Sequence, residues 1–97
     1  MGVNKQTVIT QATPILRHHR VRRAALFGST ARDERDNRSD IDLLVELEEG
    51  KSLLDLVGLK IDLEEAMGMD VDVVTYDSIN PLLRGHILRE QVPFYEA

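Results

Sequence analysis

Two segments decide the fold: Val21-Arg22-Arg23-Ala24-Ala25-Leu26-Phe27-Gly28-Ser29 and, after ten intervening residues, Asp40-Ile41-Asp42-Leu43-Leu44-Val45-Glu46-Leu47. The first ends in an apolar run from Ala24 to Phe27 and is stopped by Gly28, as expected of a strand entering a sheet interior. The second is a strand whose alternation gives way to Leu43-Leu44-Val45, closed by Glu48-Glu49-Gly50. Between them, Ser29 to about Arg35 reads as a short helix with Ser29 or Thr30 near its start. Asp36-Asn37-Arg38-Ser39 reads as a turn.

Working outward, Val8, Ile9, Ala12, Ile15 and Leu16 fall at helical spacing over residues 5–19, with Asn4 as N-cap. Pro14 strains the middle of that helix and predicts either a kink or two shorter pieces. On the C-terminal side, Ser52 and Asp55 form a capping-box pair opening a helix to about Met67, and Gly68 lies just beyond its end. Leu53, Leu56, Leu59, Leu63, Ala66 and Met67 are its predicted buried stripe, with Asp55, Lys60, Asp62, Glu64 and Glu65 facing water. Val71 to Thr75 is a further strand, and Asn80-Pro81 starts a last helix to about Glu90. Val92-Pro93-Phe94-Tyr95 is extended, and Pro93 confines it to a sheet edge. The order of elements predicts an α/β fold, a small sheet packed with helices.

Ninety-seven residues make one domain, 1–97. Apolar residues reach 42% but aromatics only 4%, so the core is aliphatic. The net charge of −5 argues against a domain built to grip nucleic acid. A basic cluster, Arg17, Arg20, Arg22 and Arg23 with His18 and His19, fits a helix C-terminus first and a patch for phosphate or an acidic partner second. The absence of cysteine excludes disulfides, thiolate metal sites and a thiol nucleophile, and points to a cytoplasmic setting. No apolar run approaches the length of a membrane span, and no signal-peptide core follows Met1.

Asp40 and Asp42 lie two apart on one strand, so both side chains point to the same face. Asp is disfavoured in strands and paired carboxylates repel, which calls for an offsetting hard cation with oxygen ligands. Gly28 permits close approach of backbone to a ligand, and Ser29 brings a hydroxyl beside unpaired helix N–H groups that attract phosphate. Each piece alone has an ordinary structural explanation. Together they place a phosphate cradle at one strand's end and a metal pair on its neighbour, the combination that phosphoryl transfer needs. A third carboxylate would complete a two-metal site. Asp72 is favoured because it sits inside a valine run, where an unpaired carboxylate would be costly, and Asp70 is its rival.

These residues carry a family resemblance. Leu26-Phe27-Gly28-Ser29, ten residues, then Asp40-Ile41-Asp42 resembles the GSx10DxD motif of the polymerase-β-like nucleotidyltransferase superfamily. Ala31-Arg32 and Ser39-Asp40-Ile41-Asp42-Leu43-Leu44-Val45 are similar to its minimal stand-alone branch, the MNT-type antitoxins paired with HEPN-domain toxins. The chain departs from the usual pattern at Asp33, where glycine is common, and at Thr30, where arginine is frequent. The resemblance implies the polymerase-β-like fold. It implies that Gly28 and Ser29 bind the triphosphate of ATP, and that Asp40, Asp42 and Asp72 hold Mg²⁺, Asp72 also helping to activate the acceptor hydroxyl. It implies AMP transfer to a hydroxyl, a tyrosine of a HEPN-domain toxin, within a hetero-oligomer. The alternative is a non-catalytic antitoxin that neutralises by contact alone.

The remaining polar residues suggest less. His18, His19 and His86 show no ligand spacing and fit surface or capping roles. Arg84 and Arg89 fit a solvated helix face, and Tyr76 and Tyr95 fit packing roles.

Overall fold

The computed structural model describes residues 4–32 and 41–97, apart from the side chain of Ser29. Its elements are α1 (Lys5–His18), β1 (Val21–Leu26), α2 (Gly28–Ala31), β2 (Ile41–Leu47), α3 (Leu53–Met67), β3 (Val71–Thr75), a 3₁₀ turn (Tyr76–Ser78), α4 (Pro81–Glu90) and β4 (Val92–Glu96). The turn expected at 36–39 and the end of the helix expected near Arg35 lie outside the described residues.

The four strands form one mixed sheet in the order β3-β2-β1-β4. β1 runs antiparallel to both β2 and β4, while β2 and β3 are parallel. A parallel pair needs a crossover, and α3 supplies it. β4 is an edge strand, as Pro93 requires, and its register with β1 shifts between Ala24 and Ala25.

Side-chain alternation divides the core between the two sheet faces. Ala24, Leu26, Ile41, Leu43, Val45 and Val71 pack with Val8, Ala12 and Leu16 of α1 and Leu59 and Leu63 of α3. Ala25 and Leu44 on the opposite face pack with Tyr76 and Ile79, joined by Phe27, Val74, Ile87 and Leu88. One face is thus closed by two long helices, the other by the 3₁₀ turn and α4.

Helix ends follow the sequence signals. The Asn4 side chain accepts the Thr7 amide at 2.8 Å, and the Asn80 side chain accepts the Leu82 amide at 2.9 Å. Asp55 reaches back to accept the Ser52 amide at 2.7 Å. Gly68 ends α3 with φ +67°, the left-handed conformation that glycine adopts without steric cost.

Three expectations are corrected. Of the outcomes expected at Pro14, two separate pieces do not occur: α1 is one helix with Pro14 inside it. Proline removes one backbone bond there, while α1 still buries Val8, Ala12 and Leu16. On α3, Leu53 and Ala66 are exposed rather than buried, because the core shared with α1 and the sheet takes in only Leu59, Leu63 and their partly buried neighbours Leu56 and Met67. Finally, α2 begins at Gly28, one residue ahead of the start expected at Ser29, with Phe27 as its extended N-cap.

Candidate active site

The site lies where β1 ends, on the sheet face that α4 only partly covers. β2 carries Asp42 and β3 carries Asp72, and the parallel register pairs the two directly. Neighbouring strands stand about 4.8 Å apart and register partners point to the same face, so the two carboxylates lie side by side. They share the face of Leu44 and Val74, the next register pair of that face along the strands, which is covered by Tyr76 and Ile79. Asp42 is partly buried and Asp72 is exposed.

That exposure corrects one premise. Asp72 is not a carboxylate sunk in an apolar strand, because β3 is a sheet edge. What distinguishes it is its pairing: Asp42 faces Asp72, whereas Asp70 precedes β3 and meets β2 through its backbone carbonyl, which accepts the Ile41 amide at 3.1 Å. Asp40 lies outside the described residues. Among the described residues, no three carboxylate or imidazole groups gather as a metal-ligand set.

Gly28 sits against Asp42. A Cβ built on Gly28 would lie 2.7 Å from Asp42 Oδ2, and Gly28 has φ +60°. A side chain here would push the Asp42 carboxylate aside and would hold a conformation that costs any residue but glycine.

Two hydrogen bonds fix β2 beneath this turn. The Phe27 amide donates to the Asp42 carbonyl at 3.2 Å, and the Asp42 amide donates to the Thr30 hydroxyl at 3.0 Å. Thr30 is only 1% exposed. The residue that departs from the common pattern therefore serves as a backbone anchor. Its signal in the sequence was limited to its place one residue after Gly28-Ser29, and nothing there pointed across to the strand.

Arg32, which follows α2, donates to Glu90 on α4 at 2.9 Å, and His86 approaches the same carboxylate at 3.3 Å. This ties the Gly28-Ser29 turn to the helix covering the site's face. Arg84 is exposed, as a solvated helix face requires, and also donates to the Tyr76 carbonyl at 2.6 Å. Tyr76 packs as expected: it is buried, donates to Gln91 Oε1 at 2.9 Å, and has the Arg23 guanidinium 4.3 Å from its ring centre. Burial pushes its hydroxyl pKa up. Of the basic cluster, Arg17 and His18 lie in the last turn of α1, as the helix-dipole reading predicts. His19 meets Asp62 of α3 at 2.6 Å.

An all-oxygen donor pair beside a turn kept free of a Cβ suits a hard divalent cation and a polyphosphate held close to backbone. Asp42 and Asp72 fit such a cation in donor type.

The sequence profile of the polymerase beta nucleotidyltransferase family matches residues 10–97. A Methanocaldococcus jannaschii protein assigned as a protein adenylyltransferase is 56% identical over 92 residues, 95% of this chain and 97% of its own length. The protein adenylyltransferase MntA of Thermococcus cleftensis is 40% identical over 72 residues, 74% of this chain and 73% of its own. A solved minimal nucleotidyltransferase superposes with a TM-score of 0.81 at 39% identity, over 93% of this chain and 95% of that one. A toxin–antitoxin crystal structure with AMP-PNP has a TM-score of 0.75 at 23% identity, a likeness of fold, over 97% of this chain and 74% of that one. No helix among the described residues is long and apolar enough to cross a membrane.

Proposed function

This chain belongs to the polymerase beta nucleotidyltransferase family, and from that premise we propose that it transfers AMP from ATP, with Mg²⁺, to a hydroxyl of a partner protein. The observation that carries the proposal is the side-by-side pairing of Asp42 and Asp72 on one sheet face, with Gly28 packed against the Asp42 carboxylate. The assignment of relatives as protein adenylyltransferases supports a protein acceptor. The toxin–antitoxin structures of similar fold, one of them holding an AMPylated HEPN toxin, support a HEPN-domain toxin as that acceptor; a tyrosine as the modified residue and an antitoxin role in the cytoplasm complete the reading.

In this reading the whole of residues 1–97 is one catalytic domain. The Gly28-Ser29 turn holds the triphosphate through backbone amides, which the absence of a Cβ at Gly28 leaves accessible. Asp40, Asp42 and Asp72 are the oxygen donors for Mg²⁺. The bound metal would neutralise phosphate charge and act as a Lewis acid. The acceptor oxygen bonds to the α-phosphorus as the bond from that phosphorus to the α–β bridging oxygen breaks, and pyrophosphate leaves. Asp72, at the exposed edge of the pair, takes the acceptor's proton.

Incubation with ATP labelled at the α-phosphate, Mg²⁺ and a HEPN-domain partner tests the proposal. Label should appear on the partner with the wild-type chain and be lost with Asp42→Ala or Asp72→Ala. Protection against the toxin by variants that transfer no label would instead support neutralisation by contact.

A further inference from the structure

Helix α3 is apolar on two sides. Leu59 and Leu63 are fully buried against the sheet. On the other side Leu53, Val57 and Ile61 recur every fourth residue with Leu54 beside them, and they are 73%, 44%, 49% and 82% exposed. A spacing of four keeps three of these side chains on one face of a helix with 3.6 residues per turn. Surface helices are normally polar on the outer side, and a helix apolar all round belongs in an interior. The stripe therefore has the character of an interface.

Charge selects the occupant. The last turn of α3 has no basic residue and contains Glu64 and Glu65, so acidic side chains sit at the negative end of the helix dipole. Asp62 stands just before them, and Lys60 is the only cation of α3. Glu64 has a partner in the Val71 amide at 3.0 Å and Asp62 has one in His19, while Glu65 is exposed. A cation arriving from outside would relieve both the like charges and the dipole. A second copy would bring the same acidic turn to the contact. An anionic lipid surface would bring more negative charge.

We propose that the outer face of α3 docks an amphipathic helix of a partner protein whose apolar stripe is flanked by Lys and Arg. The stripe lies on the α1/α3 side of the sheet, and Asp42 and Asp72 lie on the other. A partner held there leaves the carboxylate face open, and the proposal stands whether or not AMP transfer is this chain's reaction.

The probes are two fluorescent synthetic helical peptides with identical leucine stripes, one flanked by Lys and Arg, the other by Glu. Anisotropy titrations with the full chain should show the basic peptide binding at least about tenfold more tightly than the acidic one, with affinity falling as salt rises. The double variant Val57→Asp with Ile61→Asp should lose binding while its circular dichroism and melting curve match the wild type. Glu65→Lys should weaken the basic peptide alone. Equal affinity for both peptides, or binding of neither, overturns the proposal. So does a wild-type dimer in sedimentation that the double variant separates, which would assign the stripe to a second copy.

Discussion

Gly28 and Asp42 are in such close contact that a Cβ on Gly28 would stand 2.7 Å from Asp42 Oδ2. The atom it would meet is the end of a side chain, so a substitution displaces the carboxylate before it disrupts the sheet. Gly28→Ala also places a Cβ at φ +60°, which costs about 1–2 kcal/mol. We expect a modest fall in melting temperature and a far larger fall in nucleotide transfer, measured as kcat/KM beside a thermal melt. Transfer unchanged in a folded Gly28→Ala would disprove the contact's role.

Thr30 holds the backbone at Asp42 through its hydroxyl. Thr30→Val keeps the shape but leaves the Asp42 amide without this acceptor, at a cost of about 1–3 kcal/mol. Thr30→Ser, which keeps the hydroxyl, should recover most of that loss in chemical denaturation. Equal destabilisation by both variants would show that packing, and not the hydrogen bond, is what Thr30 contributes.

Strand positions were legible because β1 and β2 combine apolar runs with glycine stops, and α3 because Ser52, Asp55 and Gly68 mark both its ends. The pairing of Asp42 with Asp72 was legible only in part. Spacing put Asp42 on a strand, but the choice of Asp72 over Asp70 rested on burial in a valine run, whereas β3 proves to be an edge with Asp72 exposed. Parallel register is a tertiary fact that no local pattern encodes. The Thr30 and Arg32–Glu90 contacts join elements 12 and 58 residues apart and were invisible for the same reason. The outer apolar stripe of α3 was hidden because Leu53 reads equally well as core until the sheet's extent is known.

Among the described residues, Asp55 and Tyr76 set a pH dependence of stability. The Ser52 amide, the largest influence on Asp55, holds its carboxyl below the ordinary carboxylate value. A lowered folded-state pKa contributes stability that is present above the ordinary value and lost as pH falls through the folded one. The melting-temperature gap between wild type and Asp55→Asn should therefore close on acidification. Burial raises the Tyr76 hydroxyl pKa, so its contribution holds below the ordinary tyrosine value and is lost as pH rises through the folded one. Tyr76→Phe should flatten the alkaline limb of the melting profile and leave the acid limb alone. The reverse pattern would contradict both assignments.

If Asp42 and Asp72 act as one unit, their losses should not multiply. The decisive measurement is the rate of label transfer from ATP to the partner by Asp42→Asn, Asp72→Asn and the double variant, each shown to be folded. Either single variant should lose about 10³-fold or more, and the double variant no more than that. Single variants that retain wild-type rates, or a double variant whose loss is the product of the singles, would contradict their acting as one unit.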